Sequence, residues 1–111
     1  MKQVEKVSLA ELKQMAEKMY GTLVKADVDI QKRVVVIDME LHADGEAYLL
    51  EHGSQQADLW GINLLPAQYG TDEFIEFDSM INYKSNNPSR FVQDETVRAT
   101  IEAIIRGTIH E

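Results

Sequence analysis

Three side chains that can act as acids, bases or metal ligands recur at every second position near the middle of the chain: Asp38, Glu40 and His42. Successive side chains of an extended chain point to opposite faces, so this spacing predicts that all three project from one face of a strand and its exit. Carboxylate oxygens and an imidazole suit a divalent ion such as Mn²⁺, Fe²⁺ or Zn²⁺, with Glu76 or Asp78 of another strand completing the ligand set. One hypothesis is therefore a metal-dependent enzyme.

The competing interpretation of this pattern is a solvated sheet face, where acidic residues are common. No established metal motif matches the spacing, and His42 has another role available as the cap of a helix. We favour the solvated face, so no cofactor is expected and a divalent metal stays the alternative.

A second set of residues suits the recognition of a polar ligand through hydrogen bonds. It joins amides, a carboxylate and a guanidinium to the single tryptophan: Trp60, Asn63, Asp78, Asn82, Asn86, Asn87 and Arg90. Two structural interpretations compete, because tryptophan is usually a core residue and Asn-Asn-Pro is typical of a turn. The ligand-binding candidates are Trp60, Asn63, Asp78, Asn82 and Arg90.

Composition excludes several other classes of function. The chain has no cysteine, which leaves no disulfide, thiolate nucleophile or Cys-based metal site. No serine lies in a Gly-x-Ser-x-Gly elbow, and no Gly-rich phosphate loop is present. A formal net charge of -8 opposes nucleic-acid binding and better suits a basic peptide, a cation or a neutral small molecule. Without a long apolar run or a signal peptide, the expected location is the cytoplasm, away from membranes.

Hydrophobic residues alternate along the chain between helical and extended periodicity. The helices and strands that this pattern predicts must position the residues named above. A capping box at Ser8 and Glu11 predicts a helix that ends near Gly21. Two period-two runs then predict a hairpin with a four-residue loop. Its predicted register places Val28 opposite Val35, Ala26 opposite Ile37 and Val24 opposite Met39, with Lys25 opposite Asp38 on the outer face.

The second half of the chain repeats this order. Residues 42–53 predict a helix with Ala43, Ala47 and Leu50 inward. Residues 59–65 predict a strand that ends at Pro66, with Trp60, Ile62 and Leu64 facing the core. The pattern of residues 74–83 predicts the strand around which the fold is organised, with Ile75, Phe77, Ile81 and Tyr83 inward. A last helix is predicted from a cap at Asp94 to Gly107.

The predicted fold is a single α+β domain, residues 1–111, with the order α-β-β-α-β-β-α. Two hairpins would form a four-stranded antiparallel sheet covered by helices on one face, which is a two-layer sandwich. The other face would stay open and would carry the acids and amides, Asp27 and Asp29 among them. Burying these two aspartates without partners would be costly.

Three segments resemble a small prokaryotic family known only as a domain of unknown function: Glu-Leu-His-Ala-Asp at 40–44, Asp-Leu-Trp-Gly-Ile-Asn at 58–63 and Phe-Ile-Glu-Phe-Asp-Ser-Met-Ile-Asn at 74–82. The chain departs from the family pattern at residues 83–87, and the family implies no activity. The favoured function is a small binding or interaction module that uses the polar sheet face and the Trp60–Asn82 region. Its partner would be a protein or a polar small molecule, and a homodimer is a further expectation.

Overall fold

The computed structural model describes residues 1–111 and contains three α-helices and seven short strands. The helices are α1 (Leu9–Lys18), α2 (His42–Glu51) and α3 (Glu95–Thr108). The strands are β1 (Lys2–Val4), β2 (Val7–Ser8), β3 (Val24–Asp29), β4 (Val34–Ile37), β5 (Leu59–Leu64), β6 (Ile75–Glu76) and β7 (Ile109–His110). None of the helices combines the length and the apolar composition that a membrane span needs.

Five of the strands form one antiparallel sheet in the order β1-β4-β3-β5-β6, while β2 and β7 form a separate parallel pair. The predicted α+β class is confirmed, but the four-stranded sheet is corrected in two details. β1 adds an edge strand that sequence periodicity did not reveal. The predicted strand at 74–83 keeps only β6, because the chain leaves the sheet after Glu76.

Local sequence signals fix the start of α1 and the β3–β4 hairpin as predicted. The amide of Glu11 donates to Ser8 Oγ over 3.1 Å, and the amide of Ser8 donates to the Glu11 carboxylate over 3.2 Å. The hairpin has the predicted register, with Val28 opposite Val35, and its loop spans residues 30–33. The predicted pairing of Val24 with Met39 is wrong, because β4 ends at Ile37.

One face of the sheet packs against α1 and α3 and carries the main core. The inward residues of β5 are as predicted, and Phe77 also reaches this core. The buried members from the two helices and β5 are Leu12, Met15, Ala16, Ile101, Ile104, Ile105, Trp60, Ile62 and Leu64. Strand parity thus determines this side of the molecule.

The other face is not open, because α2 packs across it. A second, smaller core lies there, formed by Val36, Met39, Leu49 and Leu59. The buried residues of α2 are His42, Gly45 and Leu49 rather than Ala43, Ala47 and Leu50. Four consecutive apolar residues in β4 supply apolar surface to both faces, and this surface draws a helix onto each of them. The molecule therefore has three layers instead of two.

Covering this face buries two aspartates of β3 in different ways. The Asp29 carboxylate accepts hydrogen bonds from the amides of Gln31 and Lys32, both over 2.9 Å, and from Ser54 Oγ over 2.5 Å. Both carboxyl oxygens of Asp27 are buried without a hydrogen-bond partner. Burial, with the charges of Glu46 and Asp44, raises the pKa of Asp27 to about 9, so this carboxyl is protonated at neutral pH.

We expect Gly45→Ala to destabilise the fold by about 2 kcal/mol, although alanine is usually the better residue inside a helix. A methyl group at Gly45 would overlap the Asp27 carboxyl and would lie 2.9 Å from both Sδ and Cε of Met39. The matched control is Gly107→Ala in α3, where a methyl group meets no atom within 4 Å and should stabilise by about 0.5–1 kcal/mol. Urea unfolding measures both changes, and equal stabilisation by the two variants would refute the tight packing at Gly45.

Candidate functional site

Residues 77–93 form a loop that two buried asparagines hold in shape, and we call it the braced loop. The Gly61 amide donates to Asn82 Oδ1 over 2.8 Å, and Asn82 Nδ2 donates to the carbonyls of Gly61 and Arg90 over 3.0 and 2.9 Å. One side-chain amide therefore pairs with Gly61 of β5 where a further residue of a neighbouring strand would otherwise lie.

Asn87 braces the second half of this loop. Its Nδ2 donates to the carbonyls of Asn82 and Phe91, both over 3.0 Å, and its Oδ1 accepts from the Gln93 amide over 3.1 Å. Asn82 is fully buried and Asn87 is 2 % exposed, so neither amide faces solvent. Both residues therefore shape the site from within, while Asn86 is exposed.

The braced loop presents three large apolar side chains to solvent. Met80 is 62 % exposed, Tyr83 54 % and Phe91 57 %. The sequence pattern missed this surface because it placed Tyr83 in the core as part of a continuous strand. The chain instead enters a short 3₁₀ turn at Met80–Asn82, and Ser79 Oγ accepts from the Ile81 amide at its start. A serine followed by three non-glycine residues was the available signal for this turn.

Two polar residues of the loop lie next to three from the sheet and α2, and we call the group the polar patch: His42, Asn63, Glu76, Asp78 and Arg90. Asn63 Nδ2 donates to the Glu76 carboxylate over 2.8 Å, and Arg90 Nε lies 2.9 Å from Asp78 Oδ1. Asn63 Oδ1 is buried and has no donor. The structure therefore brings together three members of the predicted ligand-binding set, Asn63, Asp78 and Arg90, and three of the predicted metal ligands, His42, Glu76 and Asp78.

His42 forms the buried wall of the polar patch. Its Nε2 lies 2.9 Å from the Ile62 carbonyl, which can only accept, so this nitrogen carries the proton. Burial lowers the pKa of His42, and the positive charges of Lys25 and Arg90 act in the same direction. The Ile62 carbonyl and Asp78 oppose that change without reversing it. The imidazole is therefore neutral at pH 7 and serves as a hydrogen-bond donor.

The predicted common face of Asp38, Glu40 and His42 is not formed. Asp38 has a left-handed backbone with φ 66°, which breaks the alternation directly after β4. Asp38 and Glu40 line a groove next to Met39, whereas His42 turns inward to Ile62. No group of three or more His, Asp or Glu side chains in the molecule is arranged to hold a metal ion.

Trp60 lies outside the polar patch, in the main core, with 3 % of its surface exposed. Lys84 Nζ lies 4.7 Å from the centroid of the Trp60 ring and donates to the carbonyls of Gln56 and Ile81. Burial lowers the pKa of Lys84. This lysine therefore attaches the braced loop to the core. It also covers the Trp60 ring, so a ligand at the surface cannot contact the tryptophan.

Comparison with known proteins gives one result. Residues 3–108 match a family described as protein of unknown function, DUF5674, which agrees with the resemblance seen in the sequence. Neither the curated proteins nor the solved structures give a match. Because the family match covers nearly the whole chain, the protein belongs to the DUF5674 family.

Proposed function

We propose that this protein is a binding module that docks a partner protein on the braced loop. The observation that carries the proposal is the exposure of Met80, Tyr83 and Phe91 on a loop that buried asparagines hold in one shape. Aromatic residues, methionine and arginine are the side chains enriched at protein interfaces. A fixed loop loses little conformational entropy on binding, so more of the contact energy appears as affinity.

The charge of the loop indicates the chemistry of the partner. The braced loop contains two basic residues, Lys84 and Arg90, and one acidic residue, Asp78, in a chain of net charge -8. Arg90 uses Nε to reach Asp78, and its two terminal nitrogens make no hydrogen bond within the protein. A guanidinium presented in this way suits a carboxylate, which it can bind with both nitrogens. The proposed partner surface is apolar with a carboxylate at its edge.

A second copy of the chain is a weaker choice of partner, because two molecules of charge -8 repel each other. The polar patch next to the loop supplies hydrogen-bonding groups at the rim of the contact, and a small polar ligand there stays a prediction. The cytoplasm is the proposed place of action, since a chain without cysteine needs no oxidising compartment.

Photo-cross-linking tests the docking surface. A benzophenone amino acid at Tyr83 should give one discrete adduct in cells of the source organism, while the same group at the exposed Gln14 of α1 should give none. The adduct identifies the partner, and its affinity is then measured with purified proteins. Phe91→Ala should weaken binding about tenfold or more.

The matched control is Leu50→Ala, which truncates a side chain 40 % exposed on α2 and should change the affinity less than about twofold. Equal loss of affinity in both variants would refute the proposed surface. So would adducts of equal yield at both positions. If light scattering detects a dimer and Tyr83→Ser dissociates it, the partner is a second copy of the chain and not another protein.

A further inference from the structure

A second surface lies on the opposite flank of α2, away from the polar patch, and we call it the acidic groove. Its volume is about 530 Å³, and its apolar lining includes Met1, Met19, Met39 and Tyr48. Two exposed methionines, Met1 and Met19, therefore line the groove above a buried third, Met39. Met1 and Met19 are 55 % and 44 % exposed, so nothing within the protein covers the groove.

The charged side chains on the rim of the groove are all acidic. Four carboxylates line it, from Asp38, Glu40, Asp44 and Glu51, and no lysine, arginine or histidine does. The single ion pair of the molecule joins Arg90 to Asp78, so none of these four carboxylates has a cationic partner. A net charge of -8 adds a long-range attraction for cations.

The spacing of these carboxylates decides between a small cation and an extended one. They do not converge on one point, since no group of three is arranged to hold a metal ion. Asp44 and Glu51 stand two turns apart on one flank of α2, which is about 10 Å along its axis. A row of separated charges suits a ligand with several positive charges along its length.

We propose that the acidic groove binds a basic amphipathic segment of another protein, with its apolar side chains against the methionines and its lysines or arginines on the rim. Methionine side chains are unbranched and polarisable, so they adapt to apolar side chains of different shape. Helix-in-groove recognition uses this combination of an apolar floor and charged edges. The proposal is independent of the braced loop, which lies elsewhere on the surface.

A synthetic peptide of leucine and lysine, arranged as an amphipathic helix of about five turns, is the probe for this groove. Methyl NMR of the full chain provides reporters inside and outside it. The methyl groups of the exposed Met1 and Met19 should shift on titration, while Met15 in the main core and Met80 on the braced loop should not. A peptide with glutamate in place of lysine should not bind. Absence of binding, or shifts centred on Met80, would refute the proposal.

Charge variants distinguish binding in the groove from a general electrostatic attraction between the basic peptide and the acidic protein. Glu40→Gln with Glu51→Gln should weaken peptide binding about tenfold, because both carboxylates lie on the rim. The control pair, Glu73→Gln with Glu102→Gln, removes the same charge from exposed positions outside the groove and should cost less than about twofold. Equal weakening by the two pairs would show that net charge alone attracts the peptide and would overturn the groove.

Discussion

Raising the pH from about 5 to about 8 should lower the free energy of unfolding by about 1.4 kcal/mol per pH unit through Asp27 alone. Its pKa rises from 3.8 in the unfolded chain to about 9 in the fold. The unfolded chain therefore releases this proton above about pH 4, whereas the folded protein keeps it. The stabilisation is complete below the unfolded pKa of 3.8 and is lost as the pH rises through about 9.

Other groups act in the opposite direction and must be separated from Asp27. Burial lowers the pKa of His42, so its contribution to stability is lost as the pH falls below 6.5, its unfolded value. Burial also lowers the pKa of Lys84, which favours the fold as the pH rises toward the unfolded value of 10.5. Both groups remain in an Asp27 variant, so the difference between parent and variant isolates Asp27.

Asp27→Asn keeps the shape of the side chain and removes its proton equilibrium. Urea unfolding followed by the fluorescence of the buried Trp60 gives the free energy at each pH. The variant should gain on the parent by about 1.4 kcal/mol per pH unit between about pH 5 and 8. Asp72→Asn, at an exposed position, should keep the slope of the parent. Parallel curves for the parent and Asp27→Asn would contradict the buried neutral carboxyl.

Replacing Asn82 by alanine should lower the free energy of unfolding by about 3 kcal/mol. The variant loses both hydrogen bonds to Gly61 and the one to the Arg90 carbonyl. Each unpaired buried backbone group costs about 1–3 kcal/mol of stability. Water that enters the vacated space pairs with some of these groups and reduces the total cost. Loss of this brace also frees the loop that carries Met80, Tyr83 and Phe91.

The matched control is Asn86→Ala, four residues further along the same loop and exposed to solvent. It should change stability by less than about 0.5 kcal/mol. Urea unfolding and hydrogen exchange of the Gly61 amide test the pair, since this amide should lose protection in Asn82→Ala alone. Equal stability of the two variants would show that the Asn82 side chain contributes nothing to the edge of β5.

Strand parity predicted which residues of β3 and β5 share a face, and the structure confirms this division. The prediction was wrong in expecting that the polar side chains on one face of a strand are also exposed to solvent. Lys25, Asp27 and Asp29 share a face, yet both aspartates are buried. Asp27 lies against Gly45 of α2, and Asp29 is held by Ser54 and the loop between β3 and β4. The missed signals were the four apolar residues of β4, which need cover on both sides, and Gly45, whose lack of a side chain lets the helix approach Asp27.

Part of the polar patch could be predicted from the sequence, but the braced loop could not. Asn63, Asp78 and Arg90 meet as the second residue set suggested, because β5 and the neighbouring chain bring them to one end of the sheet. The inward position of Asn82 depends on a tertiary contact with Gly61, which no local pattern contains. The exposed apolar side chains escaped prediction for the same reason, since the turn at Ser79 reverses the alternation that the strand would have continued.

Both edge strands of the five-stranded sheet are short. β1 has three residues, β6 has two, and beyond β6 a single amide occupies the hydrogen-bonding groups of Gly61. Amyloid growth and strand addition need a long row of free backbone donors and acceptors, which neither edge offers. Strand addition is therefore disfavoured at both edges, and concentrated solutions should resist fibril formation for as long as Asn82 is in place.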